Sequence, residues 1–126
     1  MPQKIDFQIA NLIKREESRQ RETLNLIASE NYPSKAVREA LGTLFVSKYS
    51  EGRPYKRYYA GQEFIDKLET LVEERVRKVF GLNKQWAVNV QPYSGSPANY
   101  AVLRGLLKFG DKILSLPLSH GGHLTH

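Results

Sequence analysis

The chain has 126 residues, with 19 Lys+Arg against 13 Asp+Glu and a formal net charge of +6. Its 40% hydrophobic and 25% charged fractions are those of a globular domain with a core rather than a disordered segment. The absence of cysteine excludes disulfides, thiolate metal sites and cysteine nucleophiles, and no apolar run approaches the length of a membrane span. Residues 1–10 mix charge and apolar groups without a signal-peptide core, so the expected location is the cytoplasm.

In chain order, the first helix is expected from Ile5 to about Leu24, with Ile5, Ile9, Leu12 and Ile13 on one face and an Arg/Glu run after them. Leu26 to Pro33 reads as a buried turn, because a short apolar run meets small polar residues and then proline. Ser34 is placed to cap a second helix carrying Val37, Leu41, Leu44 and Phe45. Next comes Lys48-Tyr49-Ser50-Glu51-Gly52-Arg53-Pro54-Tyr55-Lys56-Arg57-Tyr58-Tyr59, which holds four of the seven tyrosines. Residues 31–60 are net +4, so most of the excess charge sits around this loop.

A third helix is expected from about Glu63 to Phe80, with Phe64, Leu68, Leu71 and Val72 as its apolar face and Gly81 as its C-terminal cap. Trp86 to Val90 alternates like a strand. Ser94-Gly95-Ser96-Pro97 follows, with Ser96 as expected N-cap and Pro97 at the first helical position. That helix carries Val102, Leu103, Leu106 and Leu107 and is expected to stop near Gly110-Asp111. A second strand from Ile113 to Leu116 leads into a polar loop with His120, His123 and His126. Strand, turn, helix and strand form one βαβ unit, which indicates an α/β fold with a parallel sheet. Two strands do not make a stable sheet, so the chain is expected to be the opening of a larger fold.

Three constellations have chemical potential. The Ser94-Gly95-Ser96 turn offers helix-start N–H groups, two hydroxyls and a glycine, the parts of a phosphate cradle, although an ordinary capped turn uses the same residues. His120, His123 and His126 flank Gly121-Gly122 at spacings of three, open to a metal, to stacking on a planar cofactor, or to plain exposure. No acidic residue lies near them, which argues against the metal. Glu51 stands among cations, suited either to a structural ion pair or to proton transfer. Tyr58 and Tyr59 are adjacent and point opposite ways on an extended segment, so at least one is expected to face a ligand or a partner chain. Interleaved basic and aromatic residues also suit a polyanion.

Taken together these segments resemble the serine hydroxymethyltransferase family. The matching stretches are Leu26-Ile27-Ala28-Ser29-Glu30-Asn31, Lys48-Tyr49-x-Glu51-Gly52, Lys56-Arg57-Tyr58-Tyr59-x-Gly61 and Glu63-x-x-Asp66. They continue with Asn89-Val90-Gln91-Pro92, Ser94-Gly95-Ser96-x-Ala98-Asn99 and His120-Gly121-Gly122-His123-Leu124-Thr125-His126. Each motif is weak alone, but their common order and register from about Arg21 onward are highly specific.

The resemblance implies the aspartate-aminotransferase-like, fold type I architecture of pyridoxal phosphate enzymes. Residues 1–62 would then be a helical arm and dimer-interface loop, and 63–126 the start of the cofactor-binding domain. It implies interconversion of serine and glycine with tetrahydrofolate as one-carbon carrier. Ser94, Gly95 and Ser96 would hold the cofactor phosphate, His123 would stack on the pyridine ring, and Ser29 would help hold the amino-acid carboxylate. Tyr49, Glu51, Tyr58 and Tyr59 would reach into the neighbouring subunit's site of a homodimer. In that site Glu51 would handle protons beside the hydroxymethyl group and folate, with Tyr58 on folate and Tyr59 on substrate. Leu118, Gly122 and Leu124 would line the folate loop. No metal, nucleic acid or membrane partner is implied.

Four positions depart from the family's usual residues. Ala60 replaces a glycine, Phe109 a proline, Arg53 a tyrosine and Tyr55 a glycine. The cofactor-binding lysine, the aspartate facing the pyridine nitrogen and the carboxylate-gripping arginine of the family all lie downstream of the segment matched here. The chain by itself is therefore expected to be inactive. A non-catalytic module that binds a polyanion through Lys48 to Arg57 is the alternative reading.

Overall fold

The computed structural model describes residues 5–126, which fall into two units, one extending to Val46 and the other spanning Ser47–His126.

In the first unit, helix α1 (Phe7–Glu22) starts where Asp6 accepts hydrogen bonds from the N–H groups of Gln8 at 2.9 Å and Ile9 at 3.2 Å. Its last turn carries Arg19 and Arg21, which suit the negative end of the helix dipole. Helix α2 (Lys35–Leu41) begins at Ser34, whose hydroxyl accepts from Val37 N–H at 3.3 Å, so the expected cap is observed. The expected stripe divides, because Gly42 ends α2 and Leu44 and Phe45 lie in a separate 3-10 turn, Leu44–Ser47. The turn near Ser29 differs from expectation: Leu26 and Ile27 are exposed. Hydrogen bonds rather than burial define it, with Glu30 N–H on the Ile27 carbonyl and Asn25 bonded to both Ile27 N–H and Glu30.

In the second unit, β1 (Gly52–Arg53) and β2 (Lys56–Arg57) form an antiparallel hairpin with Gly52 opposite Arg57. Pro54 and Tyr55 make the turn, and Tyr55 sits at φ 62°, a left-handed conformation that disfavours any side chain with a Cβ. Helix α3 (Glu63–Val79) ends as expected at Gly81, whose φ of 64° lets Leu82 N–H reach the Arg77 carbonyl at 2.8 Å and Gly81 N–H the Lys78 carbonyl at 3.2 Å. Helix α4 (Gly95–Leu106) starts two residues earlier than expected, with Ser94 rather than Ser96 at the N-cap. Pro97 occupies the third helical position, the last whose N–H has no intrahelical acceptor, and the first helical bond runs from Ala98 N–H to the Ser94 carbonyl. The helix also ends early, because Asp111 accepts from Lys108 N–H at 2.8 Å and closes a turn.

Two expectations about burial and pairing are corrected. Residues 86–90 and 113–116 are not strands; β1 and β2 form the only sheet among the described residues. A strand needs a neighbour to take its N–H and C=O groups, and these two short segments do not supply one another with it. Among the described residues no apolar side chain is fully buried, and Phe64, Leu68, Leu71 and Val72 of α3 are all exposed. The buried residues among those described are polar, Gln62, Asp66 and Glu73, and the Arg57 side chain is buried with them.

Candidate functional site

That polar interior holds the tyrosine-rich loop. Arg57 is at its centre, with a side chain only 3% exposed. Its Nε donates to Asp66 at 2.8 Å, one terminal nitrogen to Glu69 at 2.5 Å, and the other to the carbonyls of Ser50 at 2.9 Å and Gly52 at 2.5 Å. Burial opposes the guanidinium charge, but the hydrogen bonds to Glu69 and Asp66 outweigh it and hold the pKa above its ordinary value. Asp66, Glu69 and Glu73 recur at helical spacing, so one face of α3 is a carboxylate row turned toward the loop. Glu73 accepts from Arg53 at 2.9 Å, and Gln91 spans the Gly52 carbonyl at 2.7 Å and Glu69 at 2.8 Å. The sequence shows acids at positions 66, 69 and 73 and arginines at 53 and 57, but not that the two sets meet.

The clamp fixes the loop backbone and leaves its rings outward. Gln62 donates to the Tyr49 carbonyl at 2.8 Å and accepts from the Ser50 hydroxyl at 2.9 Å, while Lys48 donates to the Ala60 carbonyl at 3.0 Å. Tyr49 and Tyr59 meet edge to face, with ring centroids 5.5 Å apart and planes at 76°. Tyr58 N–H donates to the Glu51 carbonyl at 3.4 Å, which sets these two residues opposite each other just beyond the hairpin ladder. Tyr49, Tyr58 and Tyr59 remain exposed, as does Glu51. Of the four cations from Lys48 to Arg57, three make hydrogen bonds within the chain: Arg53 and Arg57 to carboxylates and Lys48 to a backbone carbonyl.

Ser94, Gly95 and Ser96 form the N-cap and first two positions of α4. No acidic residue lies in the first turn and no side chain caps it, so the helix start presents its N–H groups and the positive end of its dipole. A Cβ built on Gly95 would meet nothing within 4 Å, which leaves the approach open. These features fit a phosphate group. His123 is connected to the same helix: its Nδ1 lies 2.8 Å from Thr125 Oγ1, and Thr125 Oγ1 accepts from Asn99 of α4 at 2.9 Å. The loop preceding it folds on itself, with Gly122 N–H on the Pro117 carbonyl at 3.1 Å and Gly122 against the Leu116 carbonyl, where any Cβ would collide. Leu118 and Leu124 project from this loop and are exposed. Ser29 lies in the other unit, on the Ile27–Glu30 turn. His120 bonds Ser119 and His123 faces His126 at 5.9 Å, and no three His, Asp or Glu side chains among the described residues are placed to share a metal ion.

A family model described as serine hydroxymethyltransferase matches residues 3–126. Serine hydroxymethyltransferase from Helicobacter hepaticus is 54% identical over 121 residues, covering 96% of this chain and 28% of that protein. The cytosolic enzyme from Oryctolagus cuniculus is 55% identical over 122 residues, 96% of this chain and 25% of its own length. Serine hydroxymethyltransferase 3, chloroplastic, from Arabidopsis thaliana is 52% identical over 123 residues, 97% of this chain and 23% of its own length. The chain belongs to the serine hydroxymethyltransferase family. It spans about a quarter of the length of the curated relatives it matches.

Proposed function

We propose that this chain is the opening part of a pyridoxal phosphate-dependent hydroxymethyltransferase that interconverts serine and glycine, with tetrahydrofolate as one-carbon carrier. The family match over residues 3–126 carries this reading. On it, the complete protein has the aspartate-aminotransferase-like, fold type I architecture. Residues 1–62 act as arm and interface loop, and 63–126 open the cofactor domain. The bound cofactor supplies the electron sink for chemistry at the amino acid's Cα.

The chain's own residues bind and orient. Ser94, Gly95 and Ser96 grip the phosphate through the start of α4, and His123 lies against the pyridine ring. In a homodimer, Tyr49, Glu51, Tyr58 and Tyr59 serve the neighbouring subunit's site, held out by the Arg57 clamp. Glu51 exchanges a proton with the serine hydroxyl oxygen, Tyr59 contacts the amino acid and Tyr58 the folate. Ser29 takes part in holding the substrate carboxylate, and Leu118, Gly122 and Leu124 flank the folate. The residues that bind the cofactor covalently and grip the substrate carboxylate come from sequence outside this chain, so it does not turn over alone. Its partners are then small molecules and a second copy, with no role for nucleic acid or membrane. No helix among the described residues is long and apolar enough to cross a membrane. A cytoplasmic location follows the cytosolic rabbit relative, and the chloroplastic Arabidopsis relative makes it a point for fractionation.

Amide NMR during titration with pyridoxal phosphate and, separately, with pyridoxal tests the cofactor site. The Ser94, Gly95 and Ser96 amides are expected to move only with the phosphorylated compound. Equal shifts with both, or none, would overturn the assignment.

A further inference from the structure

We propose that Asn99 and Thr125 are positioning residues that lock His123 in one neutral tautomer, with its proton on Nε2. Thr125 N–H donates to His123 Nδ1 at 3.2 Å. A backbone amide can only donate, so Nδ1 must present a lone pair and the ring proton belongs on Nε2. The Thr125 hydroxyl oxygen lies 2.8 Å from the same nitrogen. Asn99 Nδ2 donates into that oxygen at 2.9 Å, which occupies one of its lone pairs and directs the hydroxyl proton to Nδ1. Two donors therefore converge on one acceptor, and Asn99 orients the second. A flipped ring would set a carbon against both donors; the alternative tautomer would set N–H against N–H.

The relay also has a location. Asn99 is on α4, five residues beyond the N-cap Ser94, and both Asn99 and Thr125 are half-buried, whereas the His123 ring is exposed. The edge of the imidazole is thus tied to the helix while the ring stays available. The consequence for the cofactor rests on the reading above: a fixed, neutral imidazole presents an uncharged face to an electron-poor aromatic ring, and the helix that presents amides to the phosphate also aligns that face.

Long-range ¹⁵N–¹H correlation on the histidine-labelled chain reads the tautomer directly and needs no cofactor. His123 is expected to show an acceptor Nδ1 and a protonated Nε2. Thr125→Ser should retain that pattern, and Thr125→Val, which replaces the hydroxyl with a methyl group and keeps the backbone N–H, should shift it toward a mixture of the two tautomers. Asn99→Ala should shift it partway, and it tests the relay independently should the valine variant fail to fold. A mixture in the parent chain, or valine and alanine variants indistinguishable from it, would overturn the relay. A locked tautomer whose Ser94–Ser96 amides ignore pyridoxal phosphate would uphold the relay and remove the cofactor reading instead.

Discussion

Arg57 Nε donates to Asp66 Oδ1 at 2.8 Å, and both side chains are more than nine-tenths buried. An ion pair taken out of water is costly to leave half-made: removing one partner strands a buried charge and costs about 3–5 kcal/mol. Arg57→Ala strands Asp66, removes the hydrogen bond to the Ser50 carbonyl and leaves Glu69 and the Gly52 carbonyl only their bonds from Gln91. It should release the loop, seen as loss of the Tyr49–Tyr59 ring contact in aromatic NOEs. Arg57→Lys keeps the charge but has one nitrogen where four hydrogen bonds are needed, so it should recover little of the order. A lysine variant with an intact ring contact would show that charge alone holds the loop.

Tyr55 lies at φ 62° in a turn where a side chain is unfavourable by about 1 kcal/mol. Tyr55→Gly should relieve that strain, and the family resemblance already places glycine there. Hydrogen exchange at Tyr58 N–H, which closes onto the Glu51 carbonyl, should slow by roughly fivefold as the open loop becomes less populated. Unchanged or faster exchange would mean that the turn is not strained.

Gly122 leaves no room for a Cβ against the Leu116 carbonyl, a backbone atom that cannot step aside without moving the loop. Gly122→Ala should break the turn in which Gly122 and His120 N–H groups share the Pro117 carbonyl. The check is an amide shift map: changes at residues 116–124 are expected, with α3 unaffected.

On α1, hydrogen bonds from Arg19 and then Gln20 lower the Glu16 pKa from its ordinary 4.5 to about 2. A carboxyl depressed in the folded helix favours that helix above pH 4.5, and this contribution is lost as the pH falls toward 2. Carboxyl ¹³C titration should therefore place the Glu16 midpoint near 2, and Arg19→Gln should return it toward 4.5. A midpoint near 4.5 in the parent chain would show that the pair does not persist in solution.

No apolar side chain among the described residues is fully buried, so the exposed faces of α3 and α4 have little to offset the entropy of ordering them. Burial against the rest of the complete protein would supply that area, so thermal unfolding of this chain by itself, followed by circular dichroism, should be broad or should change with protein concentration as exposed faces associate. A cooperative transition independent of concentration would contradict this.

What the sequence made legible was local. Ser34 and Gly81 are readable as caps because capping depends on one side chain or one φ angle, and α2 begins and α3 ends where those residues place them. The sequence points to an α4 start two residues late because Ser96-Pro97 imitates a cap followed by a first helical position. Trp86 to Val90 has strand periodicity, yet pairing depends on a partner segment, which periodicity does not reveal. The carboxylate row at Asp66, Glu69 and Glu73 escaped notice for a different reason. Acids on a helix ordinarily read as a solvated face, and only the fold shows that Arg53 and Arg57 come down onto them. Ser94–Ser96 and His123 were legible as motifs, whereas the Asn99–Thr125 bridge between them joins positions 26 residues apart and is visible only in three dimensions.

The most direct test replaces the matching quarter of the Helicobacter hepaticus relative with this chain and measures glycine formation from serine and tetrahydrofolate. The chimera is predicted to convert serine, and Glu51→Gln within the grafted segment to lose most of that conversion while dimer size is retained. A correctly sized chimera with no conversion, or one that Glu51→Gln leaves unchanged, would contradict the account.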